Sequence, residues 1–171
     1  AKMYQNMKKT LVAALLALLS LTFVEAKQRK AEDPVLQFNE NGKFKIVQFT
    51  DTHLGYNNRP AYDKSVEMIT SIVKTEKPDL VIFTGDIVTG APMKQGLDNL
   101  FAPLDEMGVP FMLLLGNHDR EDELPAWEIA KITTSHKSSI NTMSQDYLDD
   151  IALRIKSSDG KKVAAVVYGM D

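Results

Sequence analysis

Three short apolar runs dominate the first two thirds of the chain, and each breaks off into a cluster of polar residues. They lie within FKIVQFTD (44–51), DLVIFTGD (79–86) and VPFMLLLGN (109–117). Runs this short suit strands better than helices, and the second and third, being apolar throughout, suit buried ones. Two stretches of helical period separate them. DKSVEMITSIVKTEKP sets Val66, Ile69, Ile72 and Val73 on one side, with Asp63 as the expected N-cap and Pro78 as the stop. MKQGLDNLFAPLDEMG does the same with Leu97, Leu100, Phe101 and Leu104, and ends at Gly108, an expected C-cap. Strand, helix, strand, helix, strand with connections of this length predicts parallel strands joined by crossover helices.

The remainder is less periodic. LPAWEIAKITT reads as a helix carrying Trp127, Ile129 and Ile132, and KSSINTMSQDYLDD as a long polar connection. IALRIKSSDGKKVAAVVYGMD reads as two strands around a turn at Ser157, Ser158, Asp159 and Gly160. A hairpin arriving after the parallel unit predicts a mixed sheet. The DREDE run (119–123) is expected to be a solvated loop leading into a helix, and the methionines to be core filler.

The front of the chain has a different character. From Met7, two lysines precede an apolar run from Leu11 to Val24, and Val24-Glu25-Ala26 offers the small residues of a cleavage site. At 14 residues the run falls short of the roughly 20 that span a bilayer, so a secretory leader ending at Ala26 is expected rather than an anchor. Cleavage there removes three basic residues and one acid, taking the net charge from −3 to −5. The expected product is an exported protein, periplasmic or secreted, with no stable membrane anchor. An acidic chain is poorly suited to nucleic acid. The absence of cysteine excludes disulfides, thiolate metal sites and a thiol nucleophile. The sequence therefore divides into upstream residues and leader (1–26), an N-terminal segment (27–43) and a domain portion (44–171).

The polar clusters carry the chemistry. The first run ends in TDTH with Asp51 and His53, the second in TGD with Asp86, and the third in GNHD with Asn117, His118 and Asp119. Carboxyl ends of neighbouring parallel strands lie side by side, and ligands bind there. The three clusters supply carboxylate oxygens, imidazole nitrogens and an amide oxygen, a donor set suited to hard or borderline divalent or trivalent metals. Gly85 and Gly116 directly precede polar residues and let the backbone approach a ligand closely.

In this order, DTH, GD and GNHD resemble the first three motifs of the calcineurin-like metallophosphoesterase superfamily, most closely its exported, purple-acid-phosphatase-like bacterial members. The likeness covers Phe44 to Asp119. It implies an α/β fold, a β-sandwich of two mixed sheets flanked by helices, here its N-terminal portion. It also implies two metal ions (iron, manganese or zinc), with Asp51 and His53 on the first, Asp86 bridging and Asn117 on the second. His118 is then the general acid or hydrogen-bond donor, oriented by Asp119, and the substrate is a phosphate ester. Two cations roughly 3.5–4 Å apart neutralise an ester's oxygens and lower the pKa of a water between them.

The family completes its site with later histidines, a lone His and then Gly-His-x-His. This sequence has three histidines, and His136 in TTSHKSS reads as an exposed loop residue. A fragment of a longer enzyme is the expectation, of low stability because Asp51, Asp86 and Asp119 repel one another without cations. The competing reading is a non-catalytic metal-binding or structural remnant. Arg59 and Arg120 read as solvated rather than phosphate-binding, and Tyr56 and Asn57 as possible pocket walls. Neither a phosphate loop of the P-loop type nor a nucleophile elbow is present.

Overall fold

The computed structural model describes residues 35–145 and 147–170. The leader expected at residues 1–26 and the start of the following segment lie outside the described residues. Elements in chain order are β1 (Ile46–Phe49), β2 (Leu54–Gly55), α1 (Arg59–Glu76), β3 (Leu80–Thr84), β4 (Val88–Thr89), α2 (Met93–Met107) and β5 (Phe111–Leu114). A 3-10 turn (His118–Arg120), α3 (Ala126–Ser135), β6 (Met143–Ser144), β7 (Tyr147–Leu148), β8 (Ile151–Lys156) and β9 (Val163–Gly169) follow.

The protein is an α/β structure built on a parallel sheet of order β1-β3-β5, with helices following β1 and β3 as crossovers. β3 is central, and Leu80 to Phe83 are buried throughout, as its unbroken apolar run requires. One sheet face packs Val81, Phe83, Phe111 and Leu113 against Ile69 and Val73 of α1 and Leu97, Leu100, Phe101 and Leu104 of α2. The opposite face packs Leu80, Ile82 and Met112 against Ile151, Leu153 and Val167 of the β8–β9 hairpin. The result is two sheets face to face with helices outside. The β1-β3-β5 sheet is parallel and the β8–β9 hairpin antiparallel, and residues 36–38 bond to Lys156 of β8 through a parallel bridge at Gln37, so pairing around β8 is mixed.

Several local expectations are corrected. Asp63 is not an N-cap: α1 begins at Arg59, where Pro60 supplies a preset φ in the first turn, and Asp63 lies one turn in, paired with Arg59 at 2.7 Å. Gly108 does cap α2, at φ 65°. The polar connection after α3 is not free of structure. The Asn141 side chain accepts from Leu113 N and donates to Leu113 O, both at 2.8 Å, closing the outer edge of β5 as a strand would. β6 and β7 form a two-residue hairpin in the same stretch.

His136 is not an exposed loop residue. It follows the last turn of α3 with its side chain 11% exposed, its Nδ1 2.8 Å from Asp105 and its ring set edge-on to Phe101. Nor is the DREDE run merely solvated. Gly90 N donates to Asp122 and Met93 N to Glu123, each at 2.6 Å, so the acids hold the loop after β4 and the first turn of α2. Met93 and Met112 fill the core, whereas Met68 and Met170 are exposed.

Candidate metal centre

The loops leaving β1 and β3 run beside each other beyond the sheet. Asp51 N donates to Gly85 O at 3.0 Å, His53 N to Asp86 O at 2.9 Å and Leu54 N to Ile87 O at 2.8 Å. The contact ends in the short parallel pair β2–β4. Two-residue strands leave no periodicity to read, so this pairing had no sequence signal.

Five non-glycine residues among those described have positive φ, and three of them are Asp51 (50°), His53 (41°) and Asp86 (54°). The left-handed region is costly for L-residues, least so for Asp, Asn and His, and persists only where surroundings enforce it. Here it turns three side chains to one point. One ligand atom from each of Asp51, His53 and Asp86 lies within 4.8 Å of the other two. Asp51 and His53 are exposed and Asp86 is buried, so the cluster opens to solvent on one side. Thr50 Oγ1 donates to Asp51 Oδ2 at 2.5 Å, and His53 Nε2 stands 3.8 Å from Asp86 Oδ2.

The third cluster joins through the backbone. Gly116 passes so close to Asp86 that an added Cβ would lie 2.7 Å from Asp86 N and overlap its carboxylate, so only glycine fits. His118 N donates to Asp86 Oδ1 at 2.9 Å, and the His118 ring meets the His53 ring edge-on with centroids 5.2 Å apart. Asn117 lies between Gly116 and His118 with an exposed side chain, and its carbonyl accepts from Arg120 N at 3.2 Å.

Asp119 does not orient His118. It is 2% exposed, and its carboxylate accepts three backbone N–H groups: Asp86 at 2.6 Å, Gly116 at 2.8 Å and Ile87 at 3.0 Å. The ring of His118 pairs instead with Glu121, Nδ1 to Oε2 at 3.1 Å. Sequence reasoning missed Glu121, although its three-residue separation from His118 on a helical turn was a usable signal. Bonded to amides, Asp119 does not simply add a third repelling charge to the cluster. Tyr56 is buried in the core rather than lining a pocket, and Arg59 lies 4.5 Å over its ring. Beside Asp51 lies a recess of about 350 Å³ whose walls include Phe49, Leu54, Met68, Ile69 and Ile72.

Two carboxylates and an imidazole converging on one exposed point fit a divalent or trivalent cation, with Asn117 and His118 held alongside by the Asp86 loop. The chain is similar to several known proteins. It is 29% identical over 126 residues to "Probable inactive purple acid phosphatase 14" of Arabidopsis thaliana, covering 64% of this chain and 31% of that protein. It is 31% identical over 134 residues to "Phosphatase DCR2" of Saccharomyces cerevisiae, covering 69% and 23%. It is 32% identical over 110 residues to "Probable cyclic nucleotide phosphodiesterase" of Psychrobacter arcticus, covering 54% and 39%. The chain thus spans between 23% and 39% of these relatives' lengths. The profile of the calcineurin-like phosphoesterases matches residues 44–166, most of the described fold and every element of the site. The chain belongs to the calcineurin-like phosphoesterase family.

Proposed function

We propose that this protein belongs to a metal-dependent phosphoesterase of the exported, purple-acid-phosphatase-like kind, hydrolysing phosphate mono- or diesters with a water activated between two metal ions. The observation that carries the reading is the convergence of Asp51, His53 and Asp86 on left-handed backbone at adjoining strand ends. Asp51 and His53 would hold one ion, Asp86 would lie between both, and Asn117 would hold the second. When bound, the ions supply the positive charge that an acidic chain lacks and make water nucleophilic near neutral pH.

The chain's own residues do the rest. Asp86 keeps Oδ1 on His118 N and turns Oδ2 toward His53, so its carboxylate is fixed before any ligand arrives. His118, half exposed, is available to donate a proton or hydrogen bond to the leaving oxygen, with Glu121 on its Nδ1 steadying the ring. Export rests on the leader pattern of residues 7–26. A second reading, a metal-binding remnant without catalysis, draws support from the words "Probable inactive" in the names of the Arabidopsis relatives.

Hydrolysis of p-nitrophenyl phosphate and its bis-ester, with manganese, iron or zinc added, separates the two. Catalysis requires a metal-dependent rate that Asp86→Ala or His118→Ala lowers by roughly a hundredfold or more. Metal binding with no hydrolysis above the Asp86→Ala background would leave the remnant as the better reading.

A further inference from the structure

We infer that Asp119 is the positioning residue of the metal-bridging carboxylate, acting on Asp86 through the backbone, and takes no part in proton transfer with His118. The inference rests on the metal reading of the site for its consequence, but its geometry stands alone. Asp119 sits in the turn after β5, 2% exposed, and its carboxylate spans two loops. Oδ2 accepts Asp86 N at 2.6 Å and Gly116 N at 2.8 Å, while Oδ1 accepts Ile87 N at 3.0 Å.

The contact is reciprocal. Asp119 holds the N–H of Asp86, and Asp86 Oδ1 accepts the N–H of His118, the residue before Asp119. The loop after β3 and the loop after β5 therefore cap each other. Asp86 is held at φ 54° with one oxygen committed, leaving Oδ2 toward the His53 side of the cluster. A residue in that region stays there only when its surroundings over-determine it, and Asp119 bonds both its N–H and the next one.

A carboxylate suits the position better than its neutral isostere. Three N–H groups converge on two oxygens, and an ionised carboxyl is acceptor-only at both. Asparagine would offer one oxygen and aim its own N–H groups at the remaining amide. The burial of Asp119 and its full set of backbone partners remove it from the substrate, and Glu121 occupies the place beside the His118 ring.

The test uses the full chain and reads two quantities for wild type, Asp119→Asn and Asp122→Asn. Asp122 also accepts a backbone N–H, from Gly90, but is exposed and bonds no residue of the cluster, so it serves as the structural control. The first quantity is amide hydrogen exchange, resolved by residue. Wild type should protect Asp86, Ile87 and Gly116, and Asp119→Asn should speed exchange at those three by roughly tenfold or more while β3 is unchanged. The second is Mn2+ affinity by titration calorimetry, expected to fall roughly 10- to 100-fold in Asp119→Asn and to stay within about twofold in Asp122→Asn.

Wild-type amides that exchange like unbonded loop amides would overturn the inference, and that measurement needs no variant to fold. So would an unchanged Mn2+ affinity in a folded Asp119→Asn, or an equal loss in Asp122→Asn. A wild-type chain that binds no Mn2+ would count against the metal reading of the site, and exchange alone would then decide the role of Asp119.

Discussion

The site depends on residues whose importance is negative, in the sense that they supply room. Gly116 carries no functional group, yet a methyl there would overlap the Asp86 carboxylate and crowd its N–H. Gly108 offers the comparison: nothing lies within 4 Å of its would-be Cβ, but its φ is +65°. Gly108→Ala should therefore cost only the left-handed penalty, about 1–2 kcal/mol. Gly116→Ala should cost about 1–3 kcal/mol through overpacking and should also weaken metal binding. Thermal melts and Mn2+ titrations of both variants check this, and equal metal affinity in the two would show that Asp86 tolerates displacement. The motif residues themselves were legible because their types and their places at strand ends announce metal chemistry. The partners of Asp119 and His118 were not, since which acid reaches which group depends on the turn that follows β5 and on the loop brought against it.

Between elements, one buried hydroxyl ties the two crossover helices together. Tyr62 of α1, 1% exposed, donates to Gly96 O in α2 at 2.5 Å. Burial is the chief reason its phenol is pushed well above the usual tyrosine range, the phenolate being penalised where water is excluded. The folded state thus holds the proton more tightly than the unfolded chain, whose tyrosines ionise near 10. This contribution is complete below about pH 10 and is lost as pH rises through the higher folded value. Melts between pH 9 and 11 should show stability falling with pH, less steeply in Tyr62→Phe, which should itself cost about 1–2 kcal/mol at neutral pH. Equal slopes would remove Tyr62 from the account. The helices were readable because one-sided burial imprints a period on sequence, and the central strands because burial on both faces leaves an unbroken apolar run. Asp63 misled because capping preference is local, whereas α1 starts where Pro60 and the loop from β2 allow, and β2, β4, β6 and β7 are too short to carry a period.

At the scale of the whole molecule, folding brings together groups that water would keep apart. Asp51 and Asp86 come within reach of a common point only because β1 and β3 pair in parallel and their loops then bond to each other. Without a cation, two like charges oppose that closure, and binding a cation must therefore stabilise the fold as well as occupy the site. At free Mn2+ about 100-fold above its Kd the gain is about 2.7 kcal/mol, since the unfolded chain offers no assembled site. For a domain of this size such a gain corresponds to a Tm roughly 10 °C higher. Asp86→Ala should abolish most of the rise, because it removes a carboxylate that faces both His53 and the His118 turn. Magnesium-free scanning calorimetry of wild type and Asp86→Ala, each with and without Mn2+, measures it directly. A rise that survives Asp86→Ala would place the bound ion elsewhere on the acidic surface and detach the fold's closure from its proposed chemistry.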